Sequence, residues 1–529
     1  MLFALLLLPL TEGVLRLFDL GPNVNLVVPV RPATTDDPVF THQFNGPADL
    51  PFFGQADVAG PEERPFVLPK PKDTYRIVVL GASTVIGFPY GPSLAFPRQL
   101  EWQLNEQHPD RKFEVLNAGI TSMNSFAVSS LAEQCLHADP DLVIIYAGHN
   151  EFYGPGGPAS SAFNLSPDVI RFCYQIRRWR SVQLLTQLTS AQNQLAGDLL
   201  DVLPDQLQIP IDGPVFQQAR QNYQVNLTRM VNVCRQADVD VLLTTVACNL
   251  QDQSPLYSVW PSESNDGKEE FESLIRQAAG QIEQQQFDAA LELLDAATTI
   301  VPKHADLSYR RAQCYAGLGQ HDRAYEEFSM ARDLDGCRFR IPSAFQSIPQ
   351  EVAAANPQCE FFDLANAVKD HSELSAPGHD LFLEHVHYNF DGHYLVGRLL
   401  AEQVLLNYFP QKNRQPDQGP DIKDMKQKLG FVPEDDLAAV SFAIQVYQTG
   451  PFSRTLDRER HVRYLSDKAA ELFAAIPEQR GNVFAELPMD QMSAGLVYYL
   501  IEAHREANNT QIVEELQGCL QRRIPWKVF

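Results

Sequence analysis

The chain has 529 residues, of which 44% are hydrophobic and 20% charged, a balance typical of a globular protein of about three to four domains. Its formal net charge of -24 disfavours nucleic-acid binding, which requires clustered lysine and arginine along the phosphate backbone. The 8 cysteines show no CxxC and no recurring metal-ligand spacing, so they indicate neither a compartment nor a disulfide framework.

The first ten residues, MLFALLLLPL, form an apolar run that is followed by Glu12, Arg16 and Asp19. The run is too short to span a bilayer, and no basic residue precedes it, yet it resembles the hydrophobic part of a signal or anchor. We therefore predict that residues 1–20 serve export or membrane anchoring, which places the protein in a periplasm or cell envelope. A buried or interfacial helix is the alternative.

Residues 21–72 are rich in proline and lack sustained periodicity, which predicts an extended linker or a wrapping arm. Five strand-like apolar runs then alternate with helical stretches, and this pattern favours a parallel sheet covered on both faces. We assign the α/β domain to residues 73–267 and 337–410. The five runs are residues 75–80, 113–116, 141–147, 239–247 and 360–364.

Two helical insertions are predicted in this domain. The first, at about residues 160–235, contains Arg171, Arg177 and Arg178 beside aromatic residues, so it could lie on a membrane surface. We favour an ordinary surface helix, which packs on the protein through one apolar stripe and exposes its basic face to solvent.

The second insertion, residues 268–336, contains a repeat with an offset of 34 residues. Small residues at such spacings let paired helices pack closely, and the pattern resembles tetratricopeptide repeats, which predicts a protein partner. Only two units are clear, so we expect them to pack against the neighbouring domain and to be stabilised by it. The repeated positions are Ala278, Ala290, Leu294 and Ala297, then Ala312, Ala324, Phe328 and Ala331.

The pattern of residues 411–529 predicts helices, and this region contains no recognisable catalytic or binding motif.

Four short blocks carry the candidate chemistry, and three of them follow the first three strand-like runs. In parallel sheets, ligands bind outside the carboxyl ends of the strands, so these blocks are expected to meet at one edge. The blocks are Gly81-Ala82-Ser83-Thr84, Asn117-Ala118-Gly119, Gly148-His149-Asn150-Glu151 and Glu384-His385-Val386-His387.

Each of the first three blocks offers a functional group with an ordinary structural alternative. Ser83 opens a helix-like segment after a strand, so it is either a hydroxyl nucleophile or an N-capping serine. Gly119 permits close backbone approach with an N–H aimed at a ligand, or is a turn glycine. The Asn150 side chain can donate to an oxyanion or form an Asx turn.

In the fourth block a carboxylate, Glu384, stands three residues before His387, so one loop can supply a base and its orienting group. A metal site is the competing interpretation, because imidazoles and carboxylates crowd this segment. It would leave the other three blocks unexplained. Its ligand candidates are Glu384, His385, His387, Asp391 and His393.

Taken in order, the four blocks resemble those of the SGNH hydrolases, the superfamily of GDSL-type esterases. The continuation of the last block, His-x-Asn-x-x-Gly-His, is matched by His387, Asn389, Gly392 and His393. The resemblance covers residues 72–255 and 338–408. It implies a flavodoxin-like three-layer α/β/α sandwich with a parallel sheet, here joined by an all-α repeat insertion and a helical C-terminal region.

The resemblance also implies a role for each site residue. Ser83 is the nucleophile, and its N–H joins the Gly119 N–H and Asn150 Nδ2 in the oxyanion hole. His387 is the base, and Glu384 orients it. Glu384 stands where the family has Asp, so its longer side chain makes this the assignment most in need of a structure.

A second departure is Ala82, which replaces an Asp that is not itself the nucleophile. We thus predict a serine esterase that hydrolyses an ester on a carbohydrate or lipid and requires no cofactor and no metal. Two alternatives remain open: an O-acyltransferase acting on a polysaccharide, and an inactive binding scaffold built on the repeats.

Overall fold

The computed structural model describes residues 2–30, 41–46, 59–160, 166–190, 208–260, 265–410, 419–488, 491–492 and 495–526, with side chains omitted for residues 2–7 and 186–190. Within these ranges, no helix combines the length and the apolar character needed to cross a bilayer. All eight cysteines are unpaired.

The strands are β1 (Val27–Pro29), β2 (His42–Phe44), β3 (Pro65–Phe66), β4 (Thr74–Gly81), β5 (Lys112–Gly119), β6 (Leu142–Tyr146), β7 (Asp240–Thr244) and β8 (Cys359–Phe362). The helices up to the repeats are α1 (Leu2–Leu17), α2 (Ser83–Ile86), α3 (Phe96–Gln107), α4 (Ser125–Cys135), α5 (Pro167–Arg177), α6 (Arg180–Ser190) and α7 (Pro214–Gln236). The later helices are α8 (Lys268–Glu283), α9 (Phe287–Ile300), α10 (Ala305–Gly317), α11 (His321–Leu334), α12 (Ser343–Gln346), α13 (Ile348–Ala354), α14 (Leu364–Asp370), α15 (Phe390–Tyr408), α16 (Ile422–Lys428), α17 (Pro433–Val446), α18 (Arg458–Ala475), α19 (Glu478–Glu486), α20 (Leu496–Glu506) and α21 (Thr510–Arg523).

Five parallel strands form the central sheet in the order β5-β4-β6-β7-β8. This is the flavodoxin-like order, in which the second strand lies outside the first and the third continues on the other side. In the register of β4, Gly81 pairs with Gly119 of β5 and with Tyr146 of β6. The predicted parallel sheet is confirmed, and the first three blocks emerge side by side.

Helices cover both faces of this sheet, so the predicted α/β sandwich is confirmed. Helix α15 packs against α3, which contacts β5, while α4, α7 and α13 pack together over β4, β7 and β8. Helix α7 lies inside the first predicted insertion, yet it belongs to this layer. Its buried Phe216, Tyr223, Leu227 and Met230 follow one helical stripe, which explains its packing on α4.

The described parts of the proline-rich segment wrap the sandwich. Strands β1, β2 and β3 form a small antiparallel sheet. The Leu26 N–H donates to Gln134 Oε1 at 3.0 Å, and the Glu62 N–H donates to the Asn117 carbonyl at 3.0 Å. This second bond ties the arm to the carboxyl end of β5.

The predicted repeats form two helix pairs, α8–α9 and α10–α11, and all eight repeated positions are at most 1% exposed. The second pair packs on the α/β domain, since Tyr309 and Phe328 share one apolar cluster with Val386 of the fourth block. The Tyr309 hydroxyl also donates to the Gln251 carbonyl at 2.9 Å. The repeats therefore support the loop that carries the candidate base.

Helices α16 to α21 form a C-terminal region with an apolar cluster of its own, which includes Leu437, Leu500 and Leu516. Arg310 of the second repeat holds Asp457 with two bonds of 2.7 and 2.5 Å. This region thus closes over both the repeats and the α/β domain.

Candidate active site

Ser83 is the first residue of α2, directly after the tight turn that follows β4. Gly81 must be small there, because a Cβ at this position would lie 2.2 Å from the Tyr146 carbonyl oxygen. Helix α2 ends at Gly87, whose φ of +85° favours glycine, and the Phe88 N–H then donates to the Ser83 carbonyl at 3.0 Å. The turn therefore fixes the Ser83 side chain at the edge of the sheet and brings Phe88 back beside it.

The fourth block lies on a loop closed by backbone hydrogen bonds. The Leu383 N–H donates to the His387 carbonyl at 2.9 Å, and the Asn389 N–H donates to the Leu381 carbonyl at 3.0 Å. Asn389 then caps α15 through its Oδ1, which accepts from the Gly392 N–H at 2.8 Å. A Cβ at Gly392 would lie 2.1 Å from the Leu381 oxygen, so glycine is required for the closure.

Three predicted residues meet in a hydrogen-bonded chain. The Ser83 hydroxyl donates to His387 Nε2 at 2.8 Å, and His387 Nδ1–H donates to Glu384 Oε1. All three are buried, with exposures of 8%, 9% and 2% respectively. This is the order of nucleophile, base and orienting carboxylate required for acyl transfer. Glu384 thus reaches His387 although its side chain is longer than the Asp that the resemblance implies at this position.

The second carboxylate oxygen of Glu384 is held by a residue that the sequence offered only as a metal ligand. His385 Nδ1–H donates to Glu384 Oε2, so the carboxylate lies between two imidazoles. The His385 ring packs on Phe452, with the ring centroids 4.5 Å apart. His385 thereby fixes the carboxylate that orients the base.

Burial sets the protonation of this cluster. It lowers the pKa of His387 below the ordinary value for imidazole, so the ring is neutral at pH 7 and Nε2 can accept a proton. Burial, with the neighbouring His387 and His149, also lowers the pKa of His385 below the ordinary value for imidazole. The imidazolium that forms when His387 accepts a proton is stabilised by the Glu384 carboxylate.

Only part of the alternative metal set converges. The ligand atoms of Glu384, His385 and His387 lie within 4.8 Å of one another, so these three residues could hold a cation. His393 points elsewhere: its Nδ1 accepts from the Phe96 N–H at 3.3 Å, and Asp391 is exposed. The contacts among the three residues are already those of an orienting carboxylate between two imidazoles.

Asn150 follows β6, and its side chain is held from one side. The side-chain Nδ2 donates to the Met123 carbonyl at 3.0 Å, and the backbone carbonyl of Asn150 accepts from the Gly154 N–H at 2.8 Å. A primary amide carries two hydrogens, so the second remains to be donated to an oxyanion. The role of Asn150 in the oxyanion hole stays a prediction.

Gly119 lies against the Ser83 turn, and its amide already has a partner. A Cβ at this position would lie 2.5 Å from the Ile86 nitrogen, so only glycine fits. The Gly119 N–H donates to Asn117 Oδ1 at 3.0 Å, while Asn117 Nδ2 donates to the Val85 carbonyl at 2.8 Å. For Gly119 to serve an oxyanion, its N–H must share or leave Asn117. The sequence pattern contained Asn117 but gave no sign of this bond.

Glu151 holds the segment that faces Asn150. Its two carboxyl oxygens accept from the Ser125 N–H at 2.8 Å and the Ser125 hydroxyl at 2.6 Å. Because Ser125 follows directly after Asn124, which caps α4, the pair fixes the chain that supplies the Met123 carbonyl. Burial raises the pKa of Glu151 to about 7, so this carboxyl group retains its proton far more readily than a free one.

Two aromatic rings stand beside the base, and one of them comes from the C-terminal region. The Phe88 and His387 ring centroids lie 5.0 Å apart, and those of Phe88 and Phe442 lie 4.6 Å apart with the rings perpendicular. Both phenylalanines are partly exposed. Helix α17 therefore contributes to the wall of the site, although its sequence carries no motif that could have indicated this.

Comparisons with known proteins support the predicted repeat. A tetratricopeptide repeat family model matches residues 281–336, which confirms the predicted repeat. A search of curated proteins found no match.

Among solved structures, the chain is similar to members of the GDSL family and to an esterase. A GDSL-family protein described as lipolytic, from Desulfitobacterium hafniense DCB-2, matches with 11% identity and a TM-score of 0.27 over 62% of this chain and 98% of that chain. A lipase/acylhydrolase from Enterococcus faecalis matches with 13% identity and a TM-score of 0.30 over 64% and 100%. A two-domain esterase active on acetylated mannans matches with 12% identity and a TM-score of 0.23 over 66% and 53%.

Proposed function

We propose that the protein is a serine esterase of the SGNH type, which hydrolyses an ester of a carbohydrate or lipid through an acyl-serine intermediate. One observation carries this proposal: Ser83 Oγ lies 2.8 Å from His387 Nε2, whose other ring nitrogen is bound to Glu384. A serine hydroxyl is a weak nucleophile unless an adjacent base accepts its proton.

In the acylation step, Ser83 Oγ attacks the ester carbonyl carbon, and its proton passes to His387 Nε2. The carbonyl oxygen becomes an oxyanion, which in this proposal accepts from the Ser83 N–H and Asn150 Nδ2, with Gly119 as a third donor if its bond to Asn117 opens. Collapse of this intermediate breaks the bond to the alcohol oxygen, which takes the proton from His387.

In the deacylation step, water replaces the alcohol. His387 Nε2 takes a proton from the water as its oxygen attacks the acyl carbon, and a second oxyanion forms. Collapse releases the carboxylic acid and returns the proton to Ser83 Oγ. Glu384 stays ionised throughout and stabilises the imidazolium of both steps.

A fluorophosphonate probe tests the nucleophile directly. We expect the unaltered chain to be labelled and the Ser83→Ala variant to resist labelling. Ser254→Ala is the matched control, because Ser254 Oγ also lies near a histidine, 3.2 Å from His461 Nε2, but is fully buried. Labelling that persists in Ser83→Ala and vanishes in Ser254→Ala would show that Ser254 is the reactive serine and would contradict the proposal.

The acceptor of the acyl group is a finer part of the proposal. An O-acyltransferase would form the same acyl-serine and pass it to a sugar hydroxyl instead of water. Incubation with a labelled acyl donor, with and without a polysaccharide, separates the two: we expect label in free acid in both cases. Label in the polysaccharide would show that the protein is an O-acyltransferase and not a hydrolase.

A second function, protein binding, is favoured by the family match at residues 281–336, because tetratricopeptide-type repeats present binding surfaces. We propose that a protein partner binds this segment in addition to the esterase activity. If the unaltered chain is not labelled by any fluorophosphonate, the binding scaffold becomes the better description of the protein.

A further inference from the structure

Helix α1 and the turn after it present a row of exposed apolar side chains, which we call the N-terminal apolar face. Its members are between 47% and 78% exposed, far more than a packed helix allows. They follow the spacing of one helical face and then continue into the turn. They are Leu10, Val14, Leu17, Phe18 and Leu20.

The opposite face of α1 is fixed to the protein. Glu12 is buried, and its Oε2 accepts from the Ser181 N–H at 2.9 Å and the Ser181 hydroxyl at 3.0 Å, at the start of α6. Arg180 Nη2 binds Asp19 Oδ1 at 2.7 Å. Because polar contacts hold the inner face, the N-terminal apolar face is presented outwards in a fixed orientation.

The neighbouring helices add to this exposed apolar surface. Val169 and Phe172 on α5 and Leu185 on α6 are 43%, 58% and 52% exposed. With the N-terminal apolar face they make up 8 of the 18 large hydrophobic residues exposed in the described chain. Such clustering marks a surface that contacts something apolar, whereas single exposed residues need no explanation.

The charge of these helices opposes that of the rest of the chain. Residues 8–30 and 166–190 contain five arginines and three carboxylates, in a protein with a formal net charge of -24. Arg16 and Arg177 lie at the exposed surface with these apolar side chains. Arg171, Arg178 and Arg180 are mostly buried and pair with Asp168, Glu133 and Asp19. A helix surface with arginine next to leucine and phenylalanine matches the headgroup region of an anionic membrane. The five are Arg16, Arg171, Arg177, Arg178 and Arg180.

We propose that the N-terminal apolar face, with the exposed residues of α5, docks the protein on the surface of an anionic membrane. The apolar side chains enter the headgroup boundary, and the exposed Arg16 and Arg177 meet lipid phosphates. Residues 2–8, Leu-Phe-Ala-Leu-Leu-Leu-Leu, continue the same helix in sequence and are apolar all round, a composition that needs apolar surroundings. This inference concerns attachment alone and is independent of the proposed esterase activity.

Vesicle co-sedimentation of the full chain tests the proposal. We expect binding to vesicles of phosphatidylcholine with phosphatidylglycerol, and weaker binding to phosphatidylcholine alone. The double variant Leu17→Gln/Phe18→Gln should bind at least about tenfold more weakly, because each change removes a large apolar side chain from the contact. Both positions lie outside the apolar run of residues 1–10, so they test the face itself.

The matched control is Leu406→Gln, on α15, because Leu406 is 65% exposed and lies far along the chain from α1. Its vesicle binding should equal that of the unaltered chain, and thermal unfolding should show all three proteins folded. The proposal is overturned if the unaltered chain does not sediment with the anionic vesicles, if it binds both vesicles equally, or if the double variant binds as tightly. A dimer that depends on Leu17 and Phe18, without vesicle binding, would instead assign the face to a second copy.

Discussion

The ring of Phe442, in the C-terminal region, lies edge-on against Phe88, with the two ring centroids 4.6 Å apart and the planes at 90°. Phe88 in turn lies against the candidate base His387 at 5.0 Å. A region without recognisable motifs is thus one side chain away from the reacting groups.

Replacement of Phe442 by Ala should slow the reaction without unfolding the protein. An edge-to-face aromatic pair contributes about 0.5–1.5 kcal/mol, so loss of support for Phe88 should reduce the rate of fluorophosphonate labelling about 2- to 10-fold. Phe473→Ala is the control, because Phe473 is 41% exposed on α18 and packs near Gly481. If Phe442→Ala is labelled as fast as Phe473→Ala, the C-terminal region does not support the reacting groups.

The pH dependence of kcat/KM should report the neutral state of His387. Because burial lowers its pKa below the ordinary value of 6.5, the base stays unprotonated on acidification until the pH is well below that value. Activity should therefore be flat from neutral pH down through 6.5 and fall only at lower pH. An inflection at or above pH 7 would contradict this protonation state.

The contact between His385 and Glu384 predicts a positioning role for His385. In His385→Phe, the buried Glu384 Oε2 loses its donor, an effect of about 1–3 kcal/mol, so kcat should fall about 5- to 150-fold with KM little changed. His385→Asn keeps an N–H near the position of Nδ1 and should recover much of the loss. If both variants show the same kcat as the unaltered chain, Glu384 is oriented without His385.

Asn150→Ala tests the oxyanion hole. Loss of one oxyanion donor typically reduces kcat on the order of 100- to 1000-fold, and the fold should survive loss of the 3.0 Å bond to Met123. Steady-state kinetics with an ester substrate measure the change. Asn366→Ala, at an exposed position on α14, should leave kcat unaltered. Ordinary turnover in Asn150→Ala would remove this side chain from the mechanism.

Glu151→Gln should change how stability depends on pH. Burial raises the pKa of Glu151 from 4.5 to about 7, so between these values the folded protein holds a proton that the unfolded chain has released. In the unaltered chain this group therefore lowers the free energy of unfolding as the pH rises through that range, by about 3 kcal/mol.

Urea denaturation at several pH values measures this difference. Relative to the unaltered chain, the Glu151→Gln variant should gain stability as the pH rises from 4.5 towards 7, because glutamine can keep both contacts with Ser125 and does not ionise. A constant difference between the two proteins would mean that Glu151 titrates as it does in the unfolded chain.

The parallel sheet, the repeat and the placement of the first three blocks at one edge of the sheet could be predicted from local patterns in the sequence, whereas the meeting of Ser83 with the Glu384–His387 loop was implied by the resemblance alone. Apolar runs, a 34-residue offset and residues at strand ends are local patterns, and chain geometry translates them directly into structure. The repeat positions are buried as predicted, and the Ser83 block follows the carboxyl end of β4.

The groups that complete the site could be identified only once the chain was folded. His385 on Glu384, Asn117 on the Gly119 N–H, and Phe442 on Phe88 are contacts of single side chains, and the last joins residues more than 350 positions apart. Such contacts depend on how separate elements pack, and packing leaves no periodic trace in the sequence. Helix α7 was predicted to be part of an insertion, yet it covers the sheet for the same reason. An apolar stripe predicts that a helix packs against something, but it does not identify the element on which the helix packs.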